Sequence, residues 1–320
     1  MEPPFQNDYI FGNSLLEAIP HPEGIFGSIL YGLSVAAHFS GGPNFFTLFM
    51  PFILYFYSMR FGWKLMIAIC STGVFNGLAK FYFQSPRPHH LSQTFDQFQS
   101  QVHEGSFGLP SGHTQVSIGV WLLVFFEFKN VYIRSFAVFM ALFTPFSRMY
   151  AGVHYPGDII GGALLAGLTL LIIHYMFLDN QEFPDINSWK NSAVPVRSRI
   201  FGLTAVCIAP ILLQNQNLTR AHIESLAQIV SGAGAFAGFF AGYAILKQKF
   251  EENFSNEIFR NDYVRTVLCF LPAALIHFGL SYLGKKYFHD DMLFRFSRYW
   301  LIGFYLSFIP PYIVLKFKRQ

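Results

Sequence analysis

Long apolar runs broken by short polar stretches repeat along almost the whole chain. A helix needs about 20 residues to cross a bilayer. On that measure the runs predict spans at 24–40, 43–59, 62–83, 113–128, 134–150, 157–178, 199–213, 226–246, 264–283 and 299–315. The runs at 113–128 and 199–213 are short for a span. Pro210 and Pro272 fall inside helical runs, where the missing amide and the ring clash bend or break the hydrogen-bond ladder. The segment Asn7–Ile19 mixes polar and apolar residues and is expected to lie flat on the membrane before the first span. A polar, proline-bearing linker at 179–198 separates residues 1–178 from residues 199–320. The expected fold is all-α, a polytopic membrane helix bundle with a six-helix core and about four additional C-terminal transmembrane helices.

Composition narrows the class. Of 320 residues, 52% are hydrophobic and only 12% charged, against roughly 25% charged in a soluble domain. That excludes a soluble enzyme. Aromatics at 19% exclude disorder as the main state. A net charge of +4 is too mild for a polyanionic partner, so no nucleic acid is expected. Cys70, Cys207 and Cys269 each sit in an apolar run and read as buried hydrophobes, not as a disulfide framework or a zinc site. With the N-terminus inside, fourteen of the 22 basic residues fall on the cytoplasmic side, which places both termini there. Gly234, Gly238 and Gly242 form a small-residue stripe that permits close helix approach. Packing within the chain is the first reading of that stripe; a homodimer seam is the second.

Ionisable groups near membrane depth are costly and therefore candidates for function. They concentrate in three segments: Lys80 to Pro88, Pro110 to His113, and Ser147 to Asp158. Helices alternate in direction, so the end of the third span, the start of the fourth, the end of the fifth and the start of the sixth share one face, the non-cytoplasmic one. Lys80, Arg87 and Arg148 supply cations suited to a phosphoryl dianion. Ser111 and Gly112 open a helix, where free amides favour an anion. One histidine can attack phosphorus while the other protonates the leaving oxygen. Asp158, four residues after His154, can hold the tautomer of that ring. Fixed cations can do the charge stabilisation that a metal often does, so neither metal nor cofactor is expected. His38, His174 and His277 read as core or interfacial residues. The Gln- and Ser-rich loop at 84–110 could cover the site as a lid or simply connect two helices.

The three segments resemble the signature of the type-2 phosphatidic acid phosphatase superfamily, which includes vanadium haloperoxidases and glucose-6-phosphatase. They read Lys80, six residues, Arg87-Pro88; Pro110-Ser111-Gly112-His113; and Ser147-Arg148, five residues, His154, three residues, Asp158. The resemblance covers about residues 60–170 and does not reach the C-terminal part. It implies His154 as the nucleophile of a phosphohistidine intermediate, held by Asp158, and His113 as the general acid. It implies Lys80, Arg87, Ser111, Gly112 and Arg148 as the phosphate cradle. It further implies a metal-independent integral membrane phosphatase whose partner is a lipid phosphate in the bilayer. Candidate substrates are phosphatidate, phosphatidylglycerol phosphate, a polyprenyl pyrophosphate or a sphingoid phosphate. A glucose-6-phosphatase-like sugar phosphatase and a lipid phosphotransferase share the same site chemistry. From a different class, the additional C-terminal spans suggest a transporter, against which stand the lack of paired mid-span acids and of an internal repeat.

Overall fold

In a computed structural model of the chain, residues 5, 7–21, 24–41, 43–88, 104–178, 192, 194–215, 217–250, 256–288 and 291–318 are described. The expected loop residues at 89–103 and most of the linker at 179–198 lie outside them. The protein is an all-α polytopic membrane helix bundle. The long helices are α1 (Gly24–Ser40), α2 (Pro43–Phe52, continued by a π-helical turn Ile53–Tyr57), α3 (Met59–Phe83), α4 (Gly112–Glu127) and α5 (Val131–Tyr150). They are followed by α6 (Pro156–Met176), α7 (Val196–Leu213), α8 (Arg220–Lys249), α9 (Tyr263–Tyr287) and α10 (Met292–Lys318).

These helices stand where spans are expected. By length and composition, α3, α6, α7, α8, part of α9 and most of α10 can cross a membrane, and α1 is a shorter apolar helix. The largest differences from expectation are at α8 and α10, which start earlier because the polar turns Arg220–Ser225 and Met292–Arg298 are helical too. Hydropathy reports where a bilayer begins, not where a helix ends. Pro210 acts as expected: α7 tightens there into a 3₁₀ turn, Ala209–Leu213. Large apolar side chains lie exposed along these helices, among them Leu142, Leu164, Phe201, Leu212 and Leu275, as lipid-facing surface requires.

The chain forms two compact units. The first comprises Met1–Phe46, Ser71–Ile172 and Gln216–Gln228, and holds every chemical motif. Within it α4 and α5 form an antiparallel hairpin. Asn130 caps α5 by accepting from the amides of Tyr132 and Ile133 at 2.9 and 3.2 Å, and Arg134 donates to the Phe125 and Phe128 carbonyls at the end of α4. The segment expected to lie flat on the membrane holds two short helices, Asp8–Phe11 and Ser14–Glu17, which are anchored to the rest of the unit. Phe11 and Leu16 are buried against Leu109 and Tyr155, and His21 stacks on Tyr150. Apolar burial outweighs the polar residues of that segment.

The second unit comprises Thr47–Cys70, Ile173–Asn215 and Ile229–Gln320. Its core is aromatic, with Trp63 edge-on to Phe239 and Tyr243 at 5.1 Å each. The glycine stripe of α8 lies against α10 in this unit: a Cβ at Gly234, Gly238 or Gly242 would meet the Phe296 carbonyl, the Trp300 carbonyl or the Ser307 hydroxyl at 2.8, 2.0 and 2.1 Å.

Candidate functional site

The site is built from helix ends. α5 stops at a Schellman motif: the Gly152 amide donates to the Met149 carbonyl at 2.8 Å, and the Val153 amide to the Arg148 carbonyl at 3.2 Å. Gly152 has φ +63°, a left-handed conformation that a Cβ disfavours. This ending fixes the five-residue gap between Arg148 and His154. α6 then begins with half of a capping box: Asp158 Oδ2 accepts the Tyr155 amide at 2.9 Å, ahead of Pro156. That bond fixes the three-residue gap between His154 and Asp158. The same Oδ2 lies 3.1 Å from His154 Nδ1.

α3 ends at Gln84, in the left-handed region at φ +51°, just after Lys80. Gln84 turns the chain into Ser85-Pro86-Arg87-Pro88, where proline disfavours further helix. α4 starts at Ser111, whose hydroxyl accepts from the Thr114 amide and hydroxyl at 3.4 and 3.0 Å, and whose own amide donates to the Asp158 carbonyl at 2.9 Å. Gly112 faces Asn76. Ser111 and Gly112 thus sit at the helix opening beside Asp158, with the Ser111 hydroxyl engaged in the cap.

These ends converge. Arg87 donates from Nη1 to His154 Nε2 at 3.1 Å and to the Val153 carbonyl at 2.9 Å. Its Nε donates to the Ser106 carbonyl at 2.7 Å. Arginine only donates, so Nε2 of His154 is the acceptor, and Nδ1 carries the proton that faces Asp158. Lys80, 2% exposed, donates to the carbonyls of Phe107 and Gly108. Arg148, 1% exposed, donates to Glu104 Oε1 at 2.5 Å and bonds His38 Nδ1 at 3.0 Å. His113 Nδ1 lies 3.4 Å from Glu104 Oε1, and His113 Nε2 is buried with no partner among the described residues. Arg87 and Glu104, paired at 3.1 Å, therefore link the rings of His154 and His113. Ser147 bonds the Thr144 carbonyl at 2.7 Å and stays outside this cluster.

Two members were not anticipated. Glu104 lies in a polar loop where a solvated side chain is the default expectation, although three clustered cations call for a counter-charge. For His38 the sequence suggests a core or interfacial residue; it stacks on His113 with ring centroids 4.7 Å apart. The loop after Glu104 is also braced by the start of α8. Gln228 donates to the Ser106 hydroxyl at 3.1 Å, and His222 meets the Phe107 ring edge-on at 4.8 Å. A cavity of about 710 Å³ opens beside Arg87, Pro88, Glu104, Arg220 and Glu224.

Electrostatics follow from this packing. Burial pushes the His154 imidazole well below its ordinary value, and Arg87, Lys80 and Arg148 push it further, so the ring is neutral. Burial would raise the Glu104 carboxyl, but Arg87, Arg148, His113 and Lys80 hold it well below the usual carboxylate range. Ligand atoms of His38, Glu104 and His113 lie within 4.8 Å of one another, a spacing that could hold a metal. Arg148, however, is bonded to both His38 and Glu104 and puts a permanent positive charge where the ion would sit.

Comparison with known proteins agrees with the geometry. Residues 61–182 match the PAP2 superfamily, and residues 230–320 match the PAP2 superfamily phosphatase transmembrane extension. Residues 61–182 are thus a PAP2 superfamily domain, followed by a region that matches that superfamily's transmembrane extension. It is 32% identical over 72 residues to a lipid A 4'-phosphatase of Bacteroides thetaiotaomicron, covering 22% of this chain and 32% of that one. It is 29% identical over 130 residues to phosphatidylglycerophosphatase B of Bacillus subtilis, covering 38% of this chain and 60% of that one. It is 27% identical over 149 residues to a probable sphingosine-1-phosphate phosphatase of Dictyostelium discoideum, covering 42% of this chain and 36% of that one. The matches thus span less than two thirds of each relative's length. No solved structure matches the chain. The PAP2 region contains all eight expected site residues, and Glu104 with them, whereas His38 lies before it.

Proposed function

We propose that this PAP2 protein is a metal-independent membrane phosphatase that hydrolyses a lipid phosphomonoester or pyrophosphate. The observation that carries the reading is the state of His154: its proton faces Asp158, and its Nε2 lone pair points at the guanidinium of Arg87. A phosphoryl group held by Arg87 and Arg148 comes within reach of that lone pair. Nε2 attacks phosphorus, the bond from phosphorus to the lipid oxygen breaks, and His113, which takes up a proton when the phosphoryl dianion binds beside it, gives a proton from Nε2 to the leaving alkoxide. Asp158 stabilises the charge that develops on His154. Water then attacks the phosphohistidine, His113 accepts a proton from it, the P–N bond breaks and orthophosphate leaves. Lys80 acts by gripping the carbonyls of the loop that carries Arg87's partners, and the helix opening at Ser111 and Gly112 adds its positive end.

The three relatives are named for lipid phosphates of different headgroups, which supports a lipid substrate without choosing one. The site belongs on the non-cytoplasmic face, with both termini cytoplasmic, on the strength of the basic residues in the loops. The test is phosphate release by purified protein in detergent and EDTA from phosphatidate, phosphatidylglycerol phosphate, a polyprenyl pyrophosphate, a sphingoid phosphate and a hexose phosphate. Release from at least one lipid, lost in His154→Ala, supports the proposal. Release that requires an added metal, or none from any lipid, contradicts it.

A further inference from the structure

Glu104 stands in the midst of the donors that a phosphoryl group needs. Its Oε1 faces Arg148 Nη2 at 2.5 Å and His113 Nδ1 at 3.4 Å, and its Oε2 faces Arg87 Nη2 at 3.1 Å. An incoming oxyanion finds these positions taken. We propose that Glu104 is a resident anion in the phosphoryl site, displaced by substrate, and that it selects doubly charged phosphomonoesters over singly charged phosphodiesters. The inference rests on reading the cluster as a phosphoryl site.

The argument is one of charge. A phosphomonoester carries about −1.5 to −2 near neutral pH, a phosphodiester one negative charge and the Glu104 carboxylate one. A diester that displaces Glu104 exchanges one charge for one and must also break three charge-assisted contacts. A monoester brings extra charge toward Arg87, Arg148 and Lys80, which offsets the displacement. A bilayer surrounds such a site with phosphodiester headgroups, so an uncovered cluster of cations would be occupied by the commonest anion present. The structure provides somewhere for the carboxylate to go. Glu104 and Gly105 border the cavity of about 710 Å³, and Arg220 stands on its wall. Arg220 makes no ion pair among the described residues and can receive the displaced side chain.

The test is calorimetric titration of orthophosphate and of dimethyl phosphate into detergent-solubilised wild type and Glu104→Gln, which needs no turnover. Wild type should bind orthophosphate and bind dimethyl phosphate far more weakly. Glu104→Gln should bind orthophosphate about tenfold more tightly, with a larger gain for dimethyl phosphate. Unchanged or weaker binding by the variant overturns the inference and leaves the phosphatase proposal standing. If the variant does not fold, wild type alone decides: dimethyl phosphate competing as well as orthophosphate overturns it. Absence of orthophosphate binding in wild type and variant alike overturns both readings. Turnover that is absent while the binding shift is present removes the phosphatase proposal alone.

Discussion

Arg148 and His154 are tied together by a single helix ending: the amide of Val153, the residue before His154, donates to the Arg148 carbonyl at 3.2 Å. A cation of the cradle and the proposed nucleophile are thus placed by backbone hydrogen bonds, not by side-chain packing alone. Gly152 makes that ending, at φ +63°. Gly152→Ala forces a Cβ into a left-handed conformation at a cost of about 1–2 kcal/mol. The expected result is a fall in kcat of about tenfold or more, with a thermal unfolding midpoint only a few degrees lower. Equal kcat in wild type and variant would show that the turn does not position the ring.

Asp158 accepts both the His154 ring and the Tyr155 amide through one oxygen. Asp158→Asn can keep the amide bond but not stabilise a positive imidazole. Loss of a carboxylate in this role costs up to about 10⁴ in kcat elsewhere. Steady-state assay of Asp158→Asn should give a kcat lower by at least about a hundredfold with KM little changed; a loss confined to KM would assign Asp158 to substrate binding.

The depressed His154 pKa has a definite sign. Burial and the neighbouring cations favour the neutral ring, so its folded value lies below the ordinary 6.5 and the lone pair persists as pH falls. The acid limb of kcat/KM, which reports the free enzyme, should therefore lie below pH 6.5 where it is set by this group. A nucleophile limb at or above that value in a pH–rate profile would mean that the ring is more solvated than its 1% exposure implies.

The sequence made the helices and most of the cluster legible for a physical reason. Apolar runs report bilayer crossings, and alternation of direction then puts Lys80, His113, Arg148 and His154 at one end of the bundle. The motif spacings were legible because they are helix endings: five residues for a Schellman turn, three for a capping box. Lateral neighbours were not legible. Glu104, His38, and the turn of α8 that carries His222 and Gln228 reach the site through tertiary packing, which no periodicity encodes. The contacts of Phe11 and Leu16 with Leu109 and Tyr155 were not legible for the same reason, since a mixed polar and apolar segment does not encode its packing partner.

The C-terminal extension offers a test of packing apart from chemistry. At Gly238 a Cβ would stand 2.0 Å from the Trp300 carbonyl, a backbone atom that cannot rotate away. Gly238→Val should destabilise the second unit by about 1–3 kcal/mol or more, read as a lower unfolding temperature in detergent. An unchanged unfolding temperature would mean that α8 and α10 are further apart than this contact implies.

The central claim is covalent: the phosphoryl group passes through His154 Nε2. Wild type mixed with a phosphorus-labelled lipid phosphate and quenched at alkaline pH within its first turnover should carry one acid-labile label on the peptide containing His154, and His154→Ala should carry none. Label on another residue, or lipid hydrolysis that continues in a folded His154→Ala protein, would contradict the account.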